Sequence, residues 1–180
     1  MTITHEIEIR IKSIEQLFNS FDPAPFRERE LDTDAERHIV SYAREAADSN
    51  PIDLVIYLPD KTIETSLSKE LKAAIGHHFE LRAREQQIQL NELRRLGRRG
   101  LAVGLLVMLF ATLTGIALTN AFPKSSFFET IEQSLIIFAW VALWRPAEIL
   151  LYDRWPLIRQ RKLFERLATA PVIVRATATQ

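Results

Sequence analysis

The chain has 180 residues, 23 Lys and Arg against 23 Asp and Glu, and no cysteine. The charge balance leaves no electrostatic footprint for nucleic acid, and the missing cysteine removes disulfides, thiolate nucleophiles and cysteine-based zinc or iron–sulfur sites. A mean hydropathy near zero conceals a division, because it averages a polar N-terminal part with two late apolar runs.

Residues 3 to 12 alternate, with Ile3, Ile7, Ile9 and Ile11 on one side and Glu6, Glu8, Arg10 and Lys12 on the other. This is the period-two pattern of a half-buried strand. The first ten residues lack an apolar core, so a cleaved leader is not expected and the first apolar run serves as insertion signal. Ser13 and Gln16 form a capping-box pattern for a short helix over 14–20, with Leu17 and Phe18 tucked beneath the sheet. The segment Phe21-Asp22-Pro23-Ala24-Pro25-Phe26 excludes helix and is expected to be an ordered loop. Its two phenylalanines either plug the edge of a small core or dock another protein.

Thr33 and Glu36 form a second capping box, with Asp32 and Asp34 near the positive helix end, for a helix from Thr33 to about Asp48. Ile39, Val40, Ala43, Ala46 and Ala47 give its apolar stripe. After Ser49-Asn50-Pro51, Ile52 to Leu58 reads as a central strand, and strand–helix–strand at this spacing predicts a parallel crossover. From Thr65 to Gly97 the composition is helical, with Leu67, Leu71, Ile75 and Phe79 on one stripe, then Ile88, Leu93 and Leu96 more sparsely. Residues 82 to 89 are polar nearly all round, which suits a solvated strut or a helix covered by another chain. The heptads are few and imperfect, leaving a coiled-coil dimer open. Gly97 and Gly100 are the expected hinge.

Leu101 to Phe122 contains no ionisable residue over about 22 positions, enough to cross roughly 30 Å of hydrocarbon as a helix. A second apolar run follows from Gln133 to Tyr152. Arg94, Arg95, Arg98 and Arg99 precede the first run, and Arg154, Arg159, Arg161, Lys162 and Arg166 follow the second. The connecting loop offers only Lys124 beside Glu129 and Glu132, so both termini are expected on the cytosolic side. Gly104, Ala111 and Gly115 permit close contact between the two helices. Arg145 and Glu148 share a helical face around Pro146, near Trp140, Trp144, Tyr152 and Trp155. They read either as an interfacial anchor or as an intramembrane contact to a partner subunit, a lipid headgroup or a proton path. After Pro171, Val172-Ile173-Val174-Arg175 offers a third strand to the sheet.

The expected division is a cytosolic α/β domain over 1–63, a connecting helix over 64–100, transmembrane helices over 101–122 and 129–152 with a short external loop at 123–128, and an amphipathic helix with a final strand over 153–180. The fold class is thus a membrane α/β protein, a small cytosolic βαβ-type domain joined by a long helix to a transmembrane hairpin. Chemistry is sparse. His77 and His78 are adjacent and point to different faces, His5 lies on a strand and His38 near a helix start, so no pair has metal-binding spacing. There is no P-loop, GxGxxG or GxSxG pattern. The carboxylate pairs Asp32 with Asp34 and Glu28 with Glu30 read as capping or solvated groups. No cofactor, metal or nucleic acid is expected, and the arginine clusters match attraction to anionic lipid headgroups.

Leu17-Phe18-Asn19-Ser20-Phe21-Asp22-Pro23-Ala24-Pro25-Phe26, Leu31-Asp32-Thr33-Asp34-Ala35-Glu36, Leu93-Arg94-Arg95-Leu96, and Trp144-Arg145-Pro146-Ala147-Glu148-Ile149-Leu150-Leu151-Tyr152-Asp153 with Trp155-Pro156 resemble a group of small bacterial two-span membrane proteins usually described only as hypothetical. The likeness covers nearly the whole chain and implies membership and topology, with no activity or cofactor attached. It makes Phe21, Asp22, Pro23, Pro25 and Phe26, together with Arg145 and Glu148, the first candidates for an interaction surface. The expected role is a membrane-anchored interaction or scaffold protein at the bacterial inner membrane, an accessory subunit or self-assembling factor with a protein partner or a second copy. A lipid- or ion-responsive regulator comes next and a membrane-bound enzyme last.

Overall fold

The computed structural model describes residues 5–20, 22, 25, 29–46, 50–59, 65–122 and 126–176. It is mostly helical, with one three-stranded parallel sheet and two long apolar helices. The elements are β1 (His5–Arg10), a 3-10 turn (Ile14–Leu17), α1 (Thr33–Glu45), β2 (Ile52–Leu58), α2 (Thr65–Ala121), α3 (Ser126–Glu148), a π-helical turn (Ile149–Asp153), α4 (Arg154–Thr169) and β3 (Val172–Ala176). Two compact units result, Met1–Gln86 with Arg159–Gln180, and Gln87–Ile158.

In the first unit β2 is central, as its apolar character on both faces predicts, and β3 pairs with it. The register sets Ile7 beside Leu54 beside Val172, and Ile9 beside Ile56 beside Val174. These two rows form one sheet face. Against it pack Ile39 and Ala43 of α1, Leu71, Ile75 and Phe79 of α2, and Phe164 and Leu167 of α4. Phe79 stacks on Phe164 with ring centroids 6.0 Å apart. Leu71, Ala74, Ile75, Phe79 and Ala83 are buried, and the first unit includes α2 as far as Gln86. Ile88 and Leu96 are exposed, whereas Leu90, which the sparse stripe omits, is buried.

Local capping differs from its pattern in two places. The expected helix over 14–20 is only the 3-10 turn, and Ser13 makes no side-chain cap. The Gln16 Oε1 instead accepts from the Lys12 amide at 2.9 Å. The cap of α1 is Asp32, whose Oδ1 accepts from the Asp34 amide at 2.9 Å. Glu36 is thereby released from the role that its spacing from Thr33 implies. The helix ends at Glu45; Ala47 and Asp48 lie outside the described residues.

In the second unit α2 remains helical through Gly97 and Gly100. They are close-approach points for the returning chain, not a hinge. A methyl at Gly97 would lie 2.7 Å from Leu150 Cδ2, one at Gly100 3.3 Å from Pro146 Cβ, and one at Gly104 2.7 Å from Leu143 Cδ2. Ala111 and Ala139 are buried, and the Glu132 stem lies across Gly115. Small residues thus let the two apolar helices approach, as the sequence predicts. α3 widens into a π turn at Ile149–Asp153, just after Pro146 withholds a backbone donor, and continues into α4. At the other end, α3 begins at Ser126, three residues earlier than expected, and Phe128 stacks on Phe122 at 4.4 Å.

The nature of the neighbour at each glycine gives a test. A methyl at Gly76 would sit 2.9 Å from the Ala168 carbonyl oxygen, and backbone yields poorly. Gly76→Ala is expected to cost about 1–3 kcal/mol of overpacking, outweighing a helix-propensity gain of roughly 1 kcal/mol. At Gly100 the nearest atom is the Pro146 ring at 3.3 Å, a tight contact relieved by a shift of a few tenths of an ångström, so Gly100→Ala is expected to cost less than Gly76→Ala. Thermal unfolding of both variants in mild detergent checks the contrast, and equal shifts would refute it.

Candidate functional site

One end of the second unit gathers the charged and amphipathic side chains. There Gly97 meets Ile149 and Leu150 while Gly100 meets Pro146, so residues 94–100 of α2 lie level with residues 145–150. Trp144, Tyr152 and Trp155 are exposed at this level. Toward the other end, the outward surfaces of α2 and α3 carry large apolar side chains, among them Phe110 at 73% exposure and Phe138 at 66%.

Arg145 and Glu148 are brought together as their spacing predicts. The Arg145 Nη1 donates to Glu148 Oε2 at 2.9 Å and lies 3.9 Å from Asp153 Oδ2. The cation is satisfied within its own helical segment although its side chain is 67% exposed. Asp153 is a partner that spacing alone does not reveal.

Arg94, Arg95, Arg98 and Arg99 are exposed on α2 and, with Asn91 and Ala102, line a groove of about 460 Å³. Among the described residues none of these four arginines has an ion-pair or side-chain hydrogen-bond partner. The other basic flank is different. Arg154 is half-buried with Nη1 donating to the Leu150 carbonyl at 3.5 Å, Arg161 pairs with Glu165 at 3.1 Å, and Arg166 donates to the Asn50 carbonyl at 2.6 Å. Arg159 and Lys162 are exposed on α4.

Of the expected docking loop, Phe21, Pro23 and Phe26 lie outside the described residues. Asp22 Oδ2 accepts from the Glu30 amide at 2.8 Å. The neck of this segment is closed by an antiparallel bridge between Phe18 and Leu31 and by the Asn19 amide donating to the Glu30 carbonyl. Pro25 is exposed.

A polar cluster that local spacing does not announce joins α1 and α2. Glu36 accepts from the Arg82 guanidinium, Nε to Oε1 at 3.1 Å and to Oε2 at 3.3 Å and Nη2 to Oε2 at 2.7 Å, and its Oε2 also lies 3.2 Å from His78 Nε2. The other imidazole nitrogen, His78 Nδ1, accepts from the Leu31 amide at 3.2 Å. That bond requires a bare Nδ1, so the buried ring is neutral and donates through Nε2 to Glu36. Both nitrogens are occupied, which leaves no free lone pair for substrate. Burial holds the His78 imidazole below its ordinary value of 6.5, with Arg82 adding and Glu36 opposing. Burial pushes the Glu36 carboxyl up, but the Arg82 hydrogen bonds and charge, together with His78, outweigh it and hold the group below 4.5.

Both depressions act in one direction with pH. The unfolded chain takes protons that the folded His78 and Glu36 resist. The His78 contribution is complete above about pH 6.5 and is lost as pH falls, and the Glu36 contribution follows below about 4.5. His78→Asn keeps an acceptor for the Leu31 amide and removes the titration. Its stability is expected to fall less than that of the wild type between about pH 7 and pH 5 by thermal unfolding; identical slopes would refute the assignment. No family model, curated protein or solved structure matches this chain.

Proposed function

We propose that the chain is an integral protein of the bacterial inner membrane that holds a small α/β domain at the cytosolic surface and acts there as an interaction or scaffold component. The observation that carries this is the apolar exterior of α2 and α3. Each has a long window of high hydropathy of which only 17% is buried within the fold. Val103, Leu106, Phe110, Leu113, Ile137 and Val141 all face outward. A contiguous apolar surface of this size is matched by hydrocarbon or by another apolar protein surface, not by water.

Orientation is supported by the contrast between the two ends of the hairpin. Arg94, Arg95, Arg98, Arg99 and Arg154 flank one end with three exposed aromatic rings, while Glu129 and Glu132 stand at the other. A cation excess of this kind marks the cytosolic side, and exposed aromatic rings mark a membrane interface of either side. The pairing of β3 with β2 supports an even number of crossings, because the chain after α4 completes the sheet that the chain before α2 begins. The locally neutralised Arg145–Glu148 pair supports the interfacial-anchor reading, since a paired and nearly interfacial arginine is cheap to place. An interaction role is favoured over catalysis because the buried histidine has both nitrogens committed.

The test is alkaline carbonate extraction followed by affinity purification of the tagged chain in mild detergent, beside an Arg145→Ala, Glu148→Ala double variant. The wild type is expected in the membrane pellet and to bring down a stoichiometric partner or a second copy. The double variant is expected to insert and to retain that partner. Release by carbonate would sink the membrane assignment, and recovery of a lone monomer would sink the interaction role. Loss of the partner with the double variant would move the interface onto the second apolar helix.

A further inference from the structure

Helical geometry divides α2 into two opposed sides at its basic end. At about 100° per residue, Gly97, Gly104, Ala111 and Gly115 cluster on one side, where α3 and the π turn approach. Arg94, Arg98, Arg95 and Arg99 span roughly 140° on the opposite side, with Asn91 and Ala102 between them. The arginines form two rows, Arg94 with Arg98 and Arg95 with Arg99. Within each row the side chains stand one turn apart, and all four line one groove, within reach of an anion placed there. One turn farther along, the same side becomes apolar, with Leu105, Leu109, Leu113 and Ile116 all exposed. Two adjacent rows of unpaired forks above a leucine-lined stripe complement an amphiphile with two anionic groups and several acyl chains.

We infer that this side of α2 is a binding site for a phospholipid bearing two phosphates, one phosphate seated between Arg94 and Arg98 and the other between Arg95 and Arg99, with acyl chains along Leu105, Leu109 and Leu113. The arginine is the material choice, because a planar fork holds two phosphate oxygens at once and a lysine ammonium does not. Among the described residues no acidic side chain lines the groove, which leaves its charge uncompensated, and each cation near an anionic headgroup contributes roughly fivefold in affinity. The inference rests on the membrane assignment above.

The test uses the full chain in mild detergent, titrated by native mass spectrometry with a diphosphatidylglycerol, a phosphatidylglycerol and a phosphatidylcholine. The two-phosphate lipid is expected to bind roughly tenfold more tightly than the one-phosphate lipid compared at equal total charge. Arg95→Gln with Arg98→Gln is expected to abolish that preference, and Arg95→Lys with Arg98→Lys to reduce it severalfold. Arg37→Gln, on α1 of the first unit, leaves it unchanged. Equal affinity for the two anionic lipids, or lysine variants indistinguishable from the wild type, would overturn the site in favour of diffuse attraction. Competition by an acidic peptide that displaces all lipids alike would overturn it in favour of a protein partner. Flotation with neutral phosphatidylcholine vesicles after an alkaline wash separates the two claims. A chain that floats but does not discriminate overturns the lipid site alone, whereas a chain that does not float overturns both.

Discussion

Close approach along one face of α2 is the constraint on which the other arrangements depend. Gly76, Ala83, Leu90, Gly97, Gly104 and Ala111 recur every seven positions, and all but the half-buried Gly76 are buried. In the first unit this face lets the Ala168 backbone of α4 come within methyl contact of Gly76; in the second it admits Leu150 at Gly97 and Leu143 at Gly104. A seven-residue spacing keeps a seam on one side of a helix, and small residues on that seam trade side-chain bulk for backbone proximity. With α4 seated in this way, Phe164 and Leu167 reach the sheet, and β3 follows at once to occupy the open edge of β2. The Leu54 amide donating to the Pro171 carbonyl at 2.9 Å marks where that strand begins to pair.

The sheet imposes a second condition. β2 is central and mostly buried, so its backbone groups need partners on both edges; one strand comes from the start of the chain and the other from beyond both apolar helices. On the membrane reading, such a sheet is compatible with two crossings and incompatible with one. Connectivity and composition therefore bear on the same topology from independent directions.

Much of this was legible because it is local. Period-two alternation marks β1, β-branched runs mark β2 and β3, and uninterrupted apolar runs mark the late helices. What escaped depends on partners distant in sequence. Thr33 and Glu36 satisfy a capping-box spacing, yet Asp32 caps the helix and Glu36 turns to Arg82 and His78, more than forty positions away. Gly97 and Gly100 look like flexibility until Leu150 and Pro146 fill the space above them. The seam was present in the sequence but easily passed over, because heptads are sought among large apolar residues, and here most of the repeat is glycine and alanine. Of the candidate site, Arg145 with Glu148 followed from spacing, whereas Asp153 required the π turn. The arginine run was visible as a cluster, but its separation from any counter-ion was not.

That separation distinguishes two uses of arginine at one level of the hairpin. Arg145 carries its carboxylates with it, so its charge is largely cancelled before it meets any surroundings. On the membrane reading its contribution is positional, a long stem and a polar head that disfavour movement deeper into an apolar phase. Arg94, Arg95, Arg98 and Arg99 have no such cancellation among the described residues, and the seam on the reverse of α2 keeps them turned away from α3. Four like charges on adjacent turns repel one another, a cost that the fold leaves standing. An anion at that surface removes the repulsion and gains bidentate hydrogen bonds in the same step. The small-residue seam and the arginine cradle are therefore two consequences of one helix face assignment: packing the glycines inward is what presents the guanidinium groups outward.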